Sequence, residues 1–209
     1  MGTLGAAPVG ILMAAGRGRR FDPAGTRNKL LQVLLSGEPV VVASARKLLA
    51  VMPRVVAVVP PSDGGVAALL ARLGCEVTVC ADADSGMAAS LVHALHYALR
   101  DALPHSQSAA GEAPAAWLVA LGDMPHVAPS TLAALRDALA AGAPIVAPVH
   151  DGRRGNPVGF GRVHLDALLA LQGDQGARRL LQICPVTEVA VQDRGIFLDI
   201  DTPADLSMA

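Results

Sequence analysis

Short apolar runs return along this chain, and the stretches between them carry a different period. "VGILMAA" (9–15), "RVVAVVP" (54–60), "CEVTVC" (75–80), "AWLVAL" (116–121) and "PIVAPV" (144–149) are strand-length and β-rich, so each reads as a buried strand. Near 40–50, 64–73, 86–103 and 129–141 the apolar residues recur at helical spacing instead. Strand and helix in strict alternation predict a parallel sheet covered by helices on both faces, an α/β fold. At 209 residues the chain has the size of one domain with a full core, so residues 1–209 are read as a single unit.

The later part is less regular. Residues 151–161 read as a Gly-rich turn region, 162–171 and 175–182 as helices, and 186–192 and 196–200 as strands. "TPADLSMA" predicts a closing helical turn, with Thr202 as N-cap, Pro203 at the first position and Asp205 completing a T-x-x-D box. Residues 104–115 have a loop composition and read as a surface loop within the domain.

Composition removes several function classes. A net charge of -1 argues against a general nucleic-acid binder, and an aromatic content of 2% leaves little to stack bases on. Any basic site must be local. No apolar run approaches the roughly 18 residues that span a bilayer, so no membrane segment is expected. The opening apolar run has no Lys or Arg before it, unlike a signal peptide. Cys75, Cys80 and Cys184 form no CxxC pair. Cys75 and Cys80 fall on opposite strand faces roughly 16 Å apart, too far to bridge, which fits a reducing cytoplasm.

"MAAGRGRRF" (13–21) is where local charge concentrates. In open parallel sheets ligands bind beyond the carboxyl ends of the strands, and this loop leaves the carboxyl end of the first one. Gly16 and Gly18 let the backbone curl toward one anion, while Arg17, Arg19 and Arg20 supply charged donors. A phosphate chain suits such a loop, although a solvated basic loop would have the same composition. The run contains neither a Walker GK[ST] nor a complete GxGxxG. Lys29 stands out because the chain holds fifteen arginines and only two lysines. It reads as an exposed loop residue able to follow a phosphoryl group, whose loss would cost rate and hardly change the melting temperature.

Carboxylates complete the pattern. Asp123 follows the fourth predicted strand, and Asp199 and Asp201 end the last one, all on the rim that carries the arginine loop. Two carboxylates facing a phosphate cradle match what Mg²⁺ takes when it bridges protein and nucleotide oxygens. Asp123 could equally form the turn before Met124-Pro125, and Asp201 could serve in helix capping. Asp199 and Asp201 share a strand face, so either could bind the ion; Asp201 lies nearer the strand end. His93 and His96 lie three apart on a helix without a third ligand, and read as helix-surface residues.

In order, "MAAGRGRRF...NKLL", "GMAASL", "GDMP", "GNPVGFGR", "GDQGARRLL" and "DIDTPADL" resemble the MobA-like nucleotidyltransferases, with the molybdenum cofactor cytidylyltransferase branch the nearest match, over residues 9–206. The resemblance implies a Rossmann-like three-layer α/β/α sandwich with a mostly parallel sheet. It implies transfer of a nucleotidyl group from an NTP with release of pyrophosphate. Ala14, Ala15, Gly16, Arg17 and Arg20 would contact base and phosphates, and Lys29 would hold the phosphates. Arg17, Lys29 and Asp123 would act in catalysis. Ser85, Gly86 and Ser90 match the segment lining the base pocket, Asp123 and Asp201 the Mg²⁺ ligands, and Asn156 and Gly176 the region that receives a pterin. Here "DPAGTR" is inserted between Phe21 and Asn28, unlike many relatives. Ala15-Gly16 stands where the guanylyl branch has Gly-Gly, which favours cytosine.

The chemistry so implied joins a phosphate on a molybdopterin-type acceptor to the α-phosphorus of CTP, and needs no general base because the nucleophile is already ionised. A molybdenum hydroxylase would receive the product. Alternatives are a transferase using GTP or a sugar-phosphate acceptor, and a non-catalytic cofactor carrier or chaperone that would not need the metal ligands. An NAD-dependent oxidoreductase fits worst, lacking GxGxxG with an acidic residue about 20 positions on.

Overall fold

The computed structural model describes residues 7–100, 113–173 and 176–207. Most of the loop expected at 104–115 lies outside them. The chain runs β1 (Val9–Met13), α1 (Val40–Leu49), β2 (Val55–Val59), α2 (Val66–Leu73), β3 (Glu76–Val79), α3 (Met87–Leu99) and β4 (Ala116–Leu121). It continues through α4 (Pro129–Ala140), β5 (Ile145–His150), β6 (Arg153–Arg154), β7 (Val158–Gly161), α5 (Leu165–Leu169), α6 (Arg178–Ile183) and β8 (Thr187–Ala190).

The eight strands of the described residues join one sheet. β3, β2, β1 and β4 pair in parallel in that spatial order, β7 is inserted antiparallel between β4 and β5, and β8 pairs in parallel with β5. Because β8 covers β5 from Val146 to Val149, β6 and β7 must share its other edge as two parts of one returning strand. The sheet is thus mixed but mostly parallel, as expected.

Strand residues alternate between two cores, as a period of two requires. Leu12, Ala57, Leu118 and Val146 pack against Val41, Leu70 and Leu135 of α1, α2 and α4. Ile11, Val56, Trp117, Val119 and Phe160 pack on the other face against Leu91, Leu168 and Leu180 of α3, α5 and α6. Helices on both faces give the three layers. Strands buried on both faces explain why their sequences read as continuous apolar runs.

Two sequence expectations are corrected. Residues 151–161 are not merely a turn region but contain β6 and β7. A Cβ on Gly159 would lie 2.6 Å from side-chain atoms of both Leu139 and Val146, so the strand under α4 is glycine-rich because the helix needs that space. Residues 196–200 form no strand: Arg194–Phe197 is a 3-10 turn, and the Ile200 N–H on the Asp123 carbonyl at 2.8 Å ties the following segment to the β4 exit without a strand ladder. Asp193 Oδ1 accepts the Gly195 N–H at 2.9 Å, a local turn that overrides the β propensity of the apolar residues after it. At the C-terminus, Pro203–Ser207 is a 3-10 turn, as the capping box predicted a helical turn there.

Candidate active site

Between β1 and β4 the strand order reverses, because the connections after β1 and β2 lead outward to β3 and α3 then crosses back to β4. That switch point is where an open α/β sheet leaves a crevice. The two exits stay close beyond the strands, with the Gly122 N–H on the Met13 carbonyl at 2.9 Å. A cleft of about 370 Å³ opens there, lined by the arginine loop, Lys29, Asp123 and the start of α3.

Lys29 is the centre of the site. Asn28 takes the Leu30 N–H on Oδ1 at 3.0 Å and donates through Nδ2 to the Asp63 carbonyl at 2.9 Å, which fixes the 3-10 turn Lys29–Leu31. The lysine side chain, 9% exposed, then reaches inward: Nζ lies 2.6 Å from Asp123 Oδ2 and 3.2 Å from Asp201 Oδ1. Residues far apart in sequence meet on one ammonium group. Burial pushes the Lys29 pKa down, but attraction and hydrogen bonds from Asp123 and Asp201 outweigh it and hold the value above that of a free lysine. The expectation of an exposed, structurally neutral lysine is therefore wrong. Its charge is buried between two carboxylates.

Second contacts hold those carboxylates. Lys47 from α1 donates to the Pro125 carbonyl in the turn that carries Asp123. Asp205 Oδ2 accepts the N–H groups of Asp201 at 2.9 Å and Thr202 at 2.6 Å, and the Thr202 hydroxyl at 2.9 Å. These bonds, that from the Thr202 backbone foremost, hold the Asp205 carboxyl below its usual pKa. Arg20 reaches Asp201 Oδ2 at 2.6 Å. Of the two acids left open by the sequence, Asp201 meets the lysine. Asp199 lies close by, and burial followed by the charge of Asp201 raises its pKa.

The remaining candidates divide. Ala15, Gly16, Arg17, Gly86 and Ser90 line the cleft. Ala14 does not: its side chain is buried in the core on the α1 face and its N–H is bonded to the Val58 carbonyl at 2.9 Å, so neither group is offered to a base or phosphate in the cleft. Ser85 is exposed in the 3-10 turn Ala83–Ser85 and is not among the cleft residues. Gly176 borders the cleft through Met87, whose Sδ would lie 3.2 Å from a Cβ at that position. Asn156 is elsewhere, its N–H on the Ile196 carbonyl at 3.0 Å, in the segment where β6 passes to β7. His93 is not a free surface histidine, since Nε2 lies 2.8 Å from the Thr78 hydroxyl.

Other cleft residues carried no sequence signal. Asp84 and Met87 lie in the segment before and at the start of α3, and become cleft residues only when α3 crosses the sheet. The inserted "DPAGTR" is a closed turn. Asp22 Oδ2 accepts the N–H groups of Thr26 and Arg27 at 2.8 and 2.7 Å and the Thr26 hydroxyl at 2.8 Å. These contacts, the Thr26 hydroxyl first, lower the Asp22 pKa.

Among the described residues no group of three or more His, Cys, Asp or Glu side chains is placed to hold a metal ion. Two carboxylates do converge on one cation position, that of the Lys29 ammonium, with side chains 21% and 19% exposed. Mg²⁺ commonly takes one or two protein carboxylates and fills its shell with water and substrate phosphates, so this hard oxygen pair fits it.

The sequence matches the MobA-like NTP transferase domain over residues 10–191. The chain belongs to that family. It is a nucleotidyltransferase with the family's α/β fold. Rv0371c from Mycobacterium tuberculosis H37Rv is similar to it at 28% identity over 97% of each chain, with a TM-score of 0.78. A manganese complex of Rv0371c aligns with a TM-score of 0.73, at 27% identity over 97% of each chain. Two more distant structures show the same fold. Molybdopterin-guanine dinucleotide biosynthesis protein A from Archaeoglobus fulgidus is 22% identical over 96% of this chain and 95% of its own, with a TM-score of 0.65. Mth528, a nucleotidyl transferase from Methanothermobacter, is 22% identical over 98% and 96%, with a TM-score of 0.75. No curated protein matches the sequence. Among the described residues no helix is long and apolar enough to cross a membrane.

Proposed function

We propose that this transferase moves CMP from CTP to the terminal phosphate of a molybdopterin-type acceptor and releases pyrophosphate. The observation that carries the reading is the Lys29 ammonium held between Asp123 and Asp201, with Lys29 and Asp123 lining the cleft. Nucleotide transfer brings two polyanions together, and a buried cation flanked by hard oxygen ligands is suited to that task.

In the reaction an oxygen of the acceptor phosphate forms a bond to the α-phosphorus while the bond from that phosphorus to the bridging oxygen breaks. Pyrophosphate leaves with the electron pair. A phosphate monoester, with a second pKa of about 6, is already ionised at neutral pH, so no side chain must remove a proton. Arg17 and Lys29 offset the charge on the phosphates, and Arg20 steadies Asp201. Asp123 and Asp201 would hold Mg²⁺, which when bound neutralises phosphate oxygens as a Lewis acid.

For the base, Ala15, Gly86 and Ser90 line the cleft, and the choice of cytosine rests on Ala15-Gly16 standing where the guanylyl branch has Gly-Gly. Asn156 and Gly176 are assigned to the acceptor through their family resemblance. The delivery partner is a molybdenum hydroxylase, and the location is the cytoplasm, consistent with three free cysteines.

The test is acceptor-dependent pyrophosphate release with Mg²⁺ and each of the four NTPs. CTP should be used well and GTP poorly, and Asp123→Asn should abolish turnover with an unchanged circular dichroism spectrum. Equal use of GTP overturns the cytidylyl assignment. Turnover with none of the four replaces this reading with that of a carrier.

A further inference from the structure

The three arginines of the loop after β1 are engaged differently. Arg20 is bound to Asp201 at 2.6 Å, outside the cleft lining. Arg19 lines the cleft with no charged partner among the described residues. Arg17 also lines it, but is taken by Asp84: Nε and a terminal nitrogen both meet Asp84 Oδ1, and that nitrogen lies 3.4 Å from the Asp84 carbonyl oxygen. Both partners line the cleft, one from the arginine loop and the other from the turn Ala83–Ser85 before α3. Their ion pair joins two separate segments of the cleft lining.

Stability does not explain this pair. The side chains are 41% and 75% exposed, and exposed ion pairs contribute about 0–1 kcal/mol. A carboxylate facing a phosphate site also repels the substrate. Asp84 therefore acts against nucleotide affinity twice, by its charge and by holding a guanidinium that the phosphates need.

We propose that Asp84 is a positioning residue that latches Arg17 to the turn before α3 and competes with the phosphate chain for it. This rests on the reading of the cleft as the nucleotide site. Arg19 stays free to draw the triphosphate in, and Arg17 changes partner from carboxylate to phosphate as the nucleotide seats. On product release the exchange reverses: Asp84 recaptures Arg17 and weakens the hold on pyrophosphate. The latch trades affinity for turnover.

The experiment measures Kd for CTP and for inorganic pyrophosphate, each with Mg²⁺, by calorimetry on the full chain and on Asp84→Asn, Arg17→Met and the double variant. Asp84→Asn should bind both ligands roughly three- to tenfold more tightly, with an unchanged melting temperature, and show lower KM with lower kcat. In the Arg17→Met background most of that gain should vanish. Equal tightening in both backgrounds would mean that Asp84 acts by repulsion alone and overturns the latch. Unchanged or weaker binding by Asp84→Asn overturns it as well. If the unsubstituted protein binds neither ligand, the nucleotide assignment of the cleft falls and the latch falls with it.

Discussion

Replacing Lys29 with methionine removes a charge while nearly preserving volume. Nζ lies 2.6 Å from Asp123 and 3.2 Å from Asp201, so each attraction is about 5–6 kcal/mol at an effective dielectric near 20, before desolvation. Desolvation of the ammonium offsets much of this. Removing one partner from a fully buried pair costs about 3–5 kcal/mol. Here the carboxylates are about one-fifth exposed and Arg20 still meets Asp201, so a loss of about 1–3 kcal/mol is expected. For a chain of this size that lowers the melting temperature by about 2–12 °C.

Mn²⁺ or Mg²⁺ should raise the melting temperature of Lys29→Met more than that of the unsubstituted protein, because two carboxylates are left without their shared cation. The pH dependence has a definite sign. The folded pKa of Lys29 lies above 10.5, so its stabilisation is complete below that value and is lost as pH rises through the folded pKa. The difference in melting temperature should therefore persist through neutral pH and close only in strong alkali. Differential scanning fluorimetry with and without metal reads all of this. Equal melting temperatures and equal metal responses would refute the claim that Lys29 neutralises a buried acidic pair.

Three further outcomes are expected. Gly195→Ala places a Cβ 2.2 Å from the His126 carbonyl oxygen and should cost at least about 2 kcal/mol in urea unfolding, whereas an unchanged midpoint would mean the 3-10 turn is wrongly placed. Asp193→Ala removes the acceptor for the Ala128 N–H at 2.8 Å and the Thr131 hydroxyl at 2.7 Å at the start of α4, and should cost about 1–2 kcal/mol by the same measurement. Burial raises the Cys75 thiol pKa to about 11, so iodoacetamide at pH 8 should spare it in the native protein and label the half-buried Cys184 first, as mass spectrometry can check. The Cys75 contribution to stability is complete below its unfolded pKa of 9.0 and is lost as pH rises through about 11.

The architecture around β1, β2 and β4 is legible in the amino-acid pattern, where runs such as "RVVAVVP" are apolar on both faces because helices cover both sides of the sheet. The sequence also marked the rim: the arginine loop and Asp123 follow from where the chain leaves β1 and β4, and the T-x-x-D box beside Asp201 reads as a local cap. Such features depend on neighbours a few residues apart. Tertiary structure decided the rest. Glycines at 155–161 signal a turn until α4 is laid over Gly159, and the residues after Gly195 favour a strand until Asp193 closes the turn. Asp193 also anchors α4 from more than sixty residues away, which no local capping pattern can reveal. Lys29 reads as an exposed cation until Asp123 and Asp201, 94 and 172 residues further on, close around it. The physical reason is common to all of these. Hydrophobic period and local capping act over one or two turns of chain, whereas burial and the field at a charge are set by whatever the fold brings within a few ångströms.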